Sequence, residues 1–198
     1  MFKRVLIANR GEIAIRVARA ASALGVESVA VYARADALSL HTRITTEARA
    51  LDNGSSNGRD PVRSYLDIDA LIELGEANHC DCVHPGYGFL SENFDFARRC
   101  SEAGLEFIGP QPDTLALFGN KIRARELARS LGIPIVPGST AAVATAAEAA
   151  SVAEKIGYPV LLKAAAGGGG RGIRAVENPA DIGAAFARCQ SEAQSAFG

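Results

Sequence analysis

Short apolar runs alternate along this chain with segments whose apolar residues recur every three or four positions. Residues 5–8, Val-Leu-Ile-Ala, form the first run, and an Asn-Arg-Gly turn follows it. From Glu12 onward the apolar spacing is helical, and Gly25 stands where a left-handed cap would end a helix. Residues 28–33 form the next apolar run. This succession predicts a right-handed β-α-β unit with two parallel strands.

The first predicted helix has one apolar stripe and one charged face. Its apolar positions are Ile13, Val17, Ala20 or Ala21, and Leu24. Its charged positions are Glu12, Arg16 and Arg19. Helical spacing puts these two groups on opposite sides, so we expect the apolar stripe to be the buried face.

The alternation of strands and helices continues as far as residue 108. Further elements are predicted in the order helix, strand, helix, strand at residues 67–77, 80–84, 94–103 and 106–108. Gly104 closes the second of these helices. Strands that alternate with helices are typical of a doubly wound parallel sheet. We therefore predict an α/β fold that begins with a Rossmann-like domain.

The pattern changes at residues 109–112, Gly-Pro-Gln-Pro, because proline cannot donate a hydrogen bond within a sheet. Two short linker helices are predicted next, at residues 113–118 and 121–131. We therefore end the first domain at residue 112, assign residues 113–134 to the linker helices, and begin a second domain at residue 135.

The second domain, residues 135–198, has fewer predicted elements. Thr145 and Glu148 form a capping box that opens a helix. Two strands follow, at residues 159–163 and 173–176, and Asn178-Pro179 supplies the N-cap and first residue of a final helix. Two strands and two helices bury little apolar surface. We therefore expect this domain to be incomplete and the chain to be the N-terminal piece of a longer protein.

The composition is that of an ordinary folded protein. Of 198 residues, 48% are apolar, and 21 basic residues nearly balance 22 acidic ones. This balance argues against a nucleic-acid partner and against disorder. No apolar stretch approaches the roughly 20 residues of a membrane helix, and Asn9 and Arg10 interrupt the first run too early for a signal peptide. We expect a cytoplasmic protein with no membrane partner and free thiols at its four cysteines.

The strongest chemical signal is the glycine-rich segment at residues 163–172, Lys-Ala-Ala-Ala-Gly-Gly-Gly-Gly-Arg-Gly. Its spacing fits G-x-G-x-x-G, but the dinucleotide fingerprint must open a helix, whereas a strand follows here. The phosphate-loop pattern fails because Ile173 stands at the position of its lysine. Consecutive glycines expose N–H groups that can donate to an anion, and Lys163 and Arg171 add positive charge. The alternative is a flexible hairpin tip.

Two further motifs fall at the carboxyl edge of the predicted sheet, where open α/β sheets bind ligands. Residues 8–14, ANRGEIA, form a strand-to-helix turn that can attract an anion, although an ordinary tight turn explains the pattern as well. Residues 84–93, HPGYGFLSEN, follow a strand, and two glycines flank Tyr87. We interpret this segment as a candidate substrate loop, with a structural loop as the alternative.

The segment around Cys80, Cys82 and His84 resembles a metal site in composition. Alternation puts these three side chains on one face of a strand, which is typical of a buried strand. Structural zinc draws its ligands from two separate knuckles, and the sequence has one. We predict no metal site here.

Taken together, four motifs resemble the biotin carboxylase component of biotin-dependent carboxylases. These are ANRGEIAIR at residues 8–16, HPGYGFLSEN at 84–93, FIGP at 107–110 and KAAAGGGGRGIR at 163–174. The resemblance implies a Rossmann-like pre-ATP-grasp domain, then linker helices and part of an ATP-grasp lid subdomain. Such enzymes use MgATP and bicarbonate to carboxylate biotin on a carrier protein.

The resemblance also implies roles for particular residues. Lys121 and Lys163, two of only four lysines in the chain, would contact ATP phosphates. The lid segment that closes on the nucleotide would be Gly167, Gly168, Gly169 and Gly170. Tyr87 and Gly88 would lie near bicarbonate and biotin.

The family's Mg²⁺ ligands would lie beyond residue 198, so the resemblance implies no complete catalytic set and no metal ligand in this chain. We therefore expect the chain by itself to be inactive and to bind ATP weakly or not at all. The implied partners are a biotin carboxyl carrier domain, a carboxyltransferase and, for the full-length protein, a second copy of itself. Two alternatives remain: another ATP-grasp ligase similar to carbamoyl-phosphate synthetase, and a non-catalytic assembly module that uses the helix face of Arg16 and Arg19.

Overall fold

The computed structural model describes residues 1–51, 61–164 and 172–197. The chain divides into two compact units, residues 1–119 and 120–198. No helix among the described residues has the length and apolar character to cross a membrane.

The first unit is a five-stranded parallel sheet with helices on both faces. Its strands are β1 Arg4–Ile7, β2 Glu27–Tyr32, β3 Glu47–Ala50, β4 Cys82–His84 and β5 Glu106–Phe107. Its helices are α1 Gly11–Ala23, α2 His41–Ile44, α3 Pro61–Ser64, α4 Ile68–Ala77, α5 Phe94–Glu102 and α6 Pro112–Gly119. The strand order is β3-β2-β1-β4-β5, and every pair is parallel. The prediction of a doubly wound α/β sheet is confirmed.

The two faces of this sheet have separate cores because successive strand residues point in opposite directions. The larger core joins alternate strand residues with α4 and α5, and includes Leu6, Val29, Val31, Val83, Leu71 and Phe96. The smaller core joins the other strand residues with α1, and consists of Val5, Ile7, Cys82, Ala14, Ala18 and Ala21.

The buried face of α1 differs from the predicted stripe. Its fully buried residues are Ala14, Ala18 and Ala21, whereas Leu24 is exposed. Small side chains let the helix backbone approach the sheet closely, and the larger Ile13 and Val17 are displaced to the flank of the contact, where they are half-buried. The predicted stripe is therefore correct at Ala21, partly correct at Ile13 and Val17, and wrong at Leu24. The predicted charged face is exposed.

The predicted common face of Cys80, Cys82 and His84 is also wrong. The strand begins at Cys82, so Cys80 lies outside the alternation and packs in the core on the opposite side of the sheet. Burial raises the pKa of the Cys82 thiol to about 12 and that of Cys80 to about 11. Both thiols are therefore protonated at neutral pH.

The second unit is smaller. Its elements are α7 Lys121–Ser130, α8 Ala146–Ile156, β6 Val160–Lys163, β7 Ile173–Val176 and α9 Ile182–Phe197, the last preceded by a 3-10 turn at Pro179–Asp181. The two strands are antiparallel, and Lys163 lies opposite Ile173. Pro179 begins the final helical segment as predicted, although the Asn178 side chain makes no capping hydrogen bond.

Helices α8 and α9 cover one face of this hairpin. Its core consists of Ala149, Ala153, Val176 and Ile182. Along β6 the residues alternate between half-buried and exposed, and Leu161 and Lys163 are on the exposed side. The hairpin therefore has one face packed by helices and a second face that carries Lys163.

Candidate functional site

The carboxyl ends of β1 and β4 meet because the two strands are adjacent and parallel. The turn after β1 contains Asn9 and Arg10, and the segment after β4 is residues 84–93. The structure therefore brings together the two motifs that the sequence placed at this edge.

Asn9 joins these two segments directly. Its side chain is almost completely buried, and its Nδ2 donates hydrogen bonds to the carbonyl oxygens of Pro85 at 2.8 Å and Tyr87 at 3.0 Å. Its Oδ1 accepts a hydrogen bond from the Arg10 backbone N–H at 2.9 Å. One buried amide therefore holds both turns with its donor and acceptor sides.

Arg10 makes a second connection between the same turns. Its guanidinium lies over the rings of Tyr65 and Phe89, 5.5 and 5.8 Å from their centroids, and these two rings stack on each other at 5.2 Å. Arg10 also forms an ion pair with Asp36, with Nη1 and Oδ2 3.1 Å apart. A cation held by aromatic faces and a carboxylate is a rigid support for the loop that carries Phe89.

Asp36 is the carboxylate of this cluster. It accepts hydrogen bonds from the Tyr65 hydroxyl at 2.8 Å and from Arg10. Burial by itself would raise the pKa of Asp36, but the hydrogen bonds from Tyr65 and Arg10 outweigh it and hold that pKa below its usual value. Asp36 is therefore ionised at neutral pH and keeps Arg10 in place.

His84 is the neutral group of the site. Its Nδ1 accepts a hydrogen bond from the Gly86 N–H at 3.0 Å, and burial lowers its pKa. The ring is therefore uncharged at neutral pH with its proton on Nε2. His84 can donate from Nε2 without placing a positive charge at the sheet edge.

Tyr87 and Gly88 form the tip of the segment. The Tyr87 side chain is 71% exposed, and Gly86 and Gly88 have φ angles of +66° and +70°. These left-handed conformations favour glycine and turn the Tyr87 ring outward. A mainly apolar groove of about 690 Å³ along α1 reaches this tip, and its lining includes Ile13, Val17, Cys82, His84 and Tyr87.

The ATP-contact residues expected from the sequence belong to the second unit. Lys163 ends β6 on the face that the helices leave open, and the Ala164 N–H donates to the Gly172 carbonyl at 2.9 Å to close the described base of the hairpin. Lys121 is the first residue of α7, whose N-cap Asn120 accepts from the N–H groups of Ile122 and Arg123. Gly167, Gly168, Gly169 and Gly170 lie outside the described residues.

The sequence did not single out several residues that organise the site. Asp36 and Tyr65 are brought together with Phe89, which belongs to the predicted loop at residues 84–93. Each belongs to a short or irregular segment, so no apolar periodicity marks it. Tyr87 and Gly88, by contrast, lie in a segment with a local signal, because glycines flank the tyrosine on both sides, and their role near bicarbonate and biotin stays a prediction.

The chain combines a parallel five-stranded α/β unit with a small antiparallel hairpin, and it shares this architecture with solved biotin carboxylase domains of the ATP-grasp fold. The model of the biotin carboxylase N-terminal domain matches residues 1–115, and that of the carbamoyl-phosphate synthase L chain ATP-binding domain matches residues 120–198. The chain belongs to the biotin carboxylase N-terminal domain family.

Curated relatives are similar over the whole chain. The biotin carboxylase of Halalkalibacterium halodurans is 48% identical across 100% of this chain and 43% of its own length. The pyruvate carboxylase of Bacillus subtilis is 45% identical across 99% of this chain and 17% of its own length. The chain therefore spans less than half the length of either relative.

Solved structures show the same similarity. The biotin carboxylase–β,γ-ATP complex from Campylobacter jejuni has a TM-score of 0.91 and 42% identity, over 100% of this chain and 43% of that one. The biotin carboxylase domain dimer of the Hydrogenobacter thermophilus 2-oxoglutarate carboxylase, with MgADP and bicarbonate, has a TM-score of 0.92 and 43% identity, over 100% of this chain and 42% of that one.

Proposed function

We propose that this chain forms the N-terminal portion of a biotin carboxylase, which uses MgATP and bicarbonate to carboxylate biotin on a carrier protein. The observation that carries this proposal is the similarity, along the entire chain, to a solved biotin carboxylase domain that holds MgADP and bicarbonate. We assign residues 1–112 to the N-terminal domain, 113–134 to the linker helices and 135–198 to part of the ATP-grasp lid subdomain.

In this reaction an oxygen of bicarbonate attacks the γ-phosphorus of ATP, and ADP leaves. The resulting carboxyphosphate, or the CO₂ it releases, carboxylates the ureido nitrogen of biotin. Such a phosphoryl transfer depends on groups that position the reactants and neutralise the developing negative charge. The residues of this chain contribute to those two tasks.

At the ATP end, we assign phosphate contacts to Lys121, Lys163 and the glycines Gly167, Gly168, Gly169 and Gly170. The support is the position of Lys163, exposed at the end of β6 on the face that α8 and α9 do not cover. A lysine ammonium there can reach a phosphate without displacing a packed helix.

At the other end, we assign Tyr87 and Gly88 to the neighbourhood of bicarbonate and biotin. The support is their place at the carboxyl edge of the sheet, the exposure of the Tyr87 ring and the neutral His84 nearby. The Nε2–H of a neutral imidazole can donate a hydrogen bond to an oxygen of an anion, while Nδ1 is occupied by the Gly86 N–H.

We assign no residue of this chain to Mg²⁺. Within the residues that the structure describes, no three histidine, cysteine, aspartate or glutamate side chains are grouped closely enough to hold a metal ion. The other proposed partners are a biotin carboxyl carrier domain, a carboxyltransferase and, for the full-length protein, a second copy of itself. We propose that the protein acts in the cytoplasm.

A second candidate is an ATP-grasp ligase similar to carbamoyl-phosphate synthetase, favoured by the family model that matches residues 120–198. Both candidates cleave ATP in the presence of bicarbonate. They differ in the acceptor, because carbamoyl-phosphate synthesis consumes an amine donor and biotin carboxylation does not.

Lys163→Ala tests the proposed ATP contact, and Lys155→Ala is the matched control, an exposed lysine on α8. In the protein expressed from its complete reading frame, we expect Lys163→Ala to lower kcat/KM for ATP at least about tenfold. Lys155→Ala should leave it unchanged. Bicarbonate-dependent ADP release measures the activity of both variants. Equal activity of the two would show that Lys163 does not contact ATP.

A further inference from the structure

Side chains outside the segment hold the residues around Tyr87 and Gly88, and Asn9 alone makes two of these hydrogen bonds. Residues 85–88 leave β4 immediately, and two of their four residues are glycines with positive φ. Such backbone has little conformational preference of its own. Two of its carbonyl groups, those of Pro85 and Tyr87, accept hydrogen bonds from a single donor, the Nδ2 amide of Asn9.

The surroundings of Asn9 fix this amide in one orientation. Its Oδ1 is occupied by the Arg10 N–H, so its Nδ2 must face the two carbonyls. The side chain is 3% exposed, and water cannot replace a lost bond without opening the core. A Cβ at Gly86 would lie 2.6 Å from Nδ2, so the loop backbone and the amide are already in close contact.

We propose that Asn9 is a positioning residue for the Tyr87–Gly88 tip. The amide holds the carbonyls on both sides of Gly86, and this sets the direction in which the Tyr87 ring leaves the sheet. As far as it concerns bicarbonate or biotin, this inference rests on the proposed function. The structural part of the inference, that Asn9 orders the tip, does not depend on the proposed function.

Asn78 offers a matched control for Asn9. It is a second buried asparagine, 8% exposed, and its Nδ2 donates to the Leu74 carbonyl at 2.8 Å at the end of α4. Replacement of either asparagine by aspartate removes amide donors and sets a carboxylate against a carbonyl oxygen. Only the change at Asn9 touches residues 85–88.

The test is amide hydrogen exchange on Asn9→Asp, Asn9→Ala and Asn78→Asp. We expect both Asn9 variants to raise exchange of residues 86–91 at least about tenfold beyond the change in global stability, because the loop loses two hydrogen bonds. Asn78→Asp should raise exchange in that segment only as much as its global stability falls. Asn9→Ala adds no charge and keeps the test valid if Asn9→Asp fails to fold.

Kinetics of the protein from the complete reading frame provide the second readout. We expect Asn9→Ala to raise KM for bicarbonate or biotin at least about tenfold while KM for ATP stays near its wild-type value, because only the tip is displaced. Unchanged exchange at residues 86–91 in an active protein would overturn the positioning role alone. Raised exchange in a protein without carboxylase activity would overturn the proposed function alone.

Discussion

Gly86 is the residue at which the sheet edge leaves no room for a side chain. Its φ is +66°, and a Cβ there would lie 2.6 Å from both Asn9 Nδ2 and Ile13 Cγ2. We expect Gly86→Ala to destabilise the protein by about 2–4 kcal/mol, through left-handed strain together with a clash against packed atoms. Urea denaturation measures this loss.

Gly88→Ala is the control for that substitution. Gly88 has nearly the same φ, +70°, but a Cβ there would meet nothing within 4 Å. Strain alone should cost about 1–2 kcal/mol. Equal losses at the two glycines would show that the contact with Asn9 does not restrict the loop.

Asp36 gives the first unit a pH-dependent contribution to stability. Its folded pKa lies below the ordinary value of 3.8 because the Tyr65 and Arg10 hydrogen bonds outweigh burial. A carboxyl with a lowered folded pKa stabilises fully above its unfolded pKa, and this contribution is lost as pH falls through the folded value. Asp36→Asn should therefore cost about 1–2 kcal/mol at pH 7 and almost nothing well below pH 3.8.

Denaturation of wild type and Asp36→Asn across this pH range measures the effect. Asp95→Asn is the control, since Asp95 pairs with Arg98 on the exposed surface of α5. Its cost should stay below about 1 kcal/mol. If the free energies of unfolding of wild type and Asp36→Asn differed by the same amount from neutral to acidic pH, the lowered pKa of Asp36 would be contradicted.

Some residues of the candidate site stand in a local sequence pattern and others do not, for a physical reason. Tyr87 and Gly88 lie in a local pattern, glycines around an aromatic residue, that is visible in one stretch. Asp36 and Tyr65 act through a contact between positions 29 residues apart. A local sequence pattern cannot predict such a contact, because the contact exists only after the sheet has formed.

The start of helix α8 is predicted directly from the sequence by its capping box. Thr145 accepts a hydrogen bond from the Glu148 N–H at 3.2 Å, and Glu148 accepts one from the Ala144 N–H at 2.8 Å. Thr145→Ala should destabilise the second unit by about 1 kcal/mol, because a helix N–H loses its partner. Chemical denaturation followed by circular dichroism measures it.

Thr140→Ala serves as the comparison, since Thr140 is an exposed residue outside any helix. Its replacement should change stability by less than about 0.5 kcal/mol. If both substitutions had the same small effect, the cap would contribute nothing to the helix.

Strands with an apolar run of their own were predicted correctly. A strand that depends on its pairing with other strands was not. The apolar runs of β1, β2 and β4 mark buried central strands. Strand β3, Glu-Ala-Arg-Ala, has no such run, because it lies at the sheet edge with every residue only half-buried. Its Glu47 pairs with Arg4 of β1 and Arg49 of its own strand, so charge pairing accompanies an edge strand that hydropathy does not reveal.

The first unit has the features of an independently folding domain. Its sheet has an apolar core on each face, and both cores are formed from residues 1–119. We therefore expect residues 1–119 to fold when expressed alone, with cooperative urea unfolding. Dispersed amide resonances would confirm this, and a spectrum of an unfolded chain would contradict the division at residue 119.

The function proposed for this chain is a part in the carboxylation of biotin. The most direct measurement is transfer of radiolabel from bicarbonate to free biotin by the protein expressed from its complete reading frame. We expect ATP-dependent labelling of biotin without any amine donor, and we expect this labelling to be lost in Lys163→Ala but not in Lys155→Ala. ATP cleavage that requires an amine donor and leaves biotin unlabelled would contradict it.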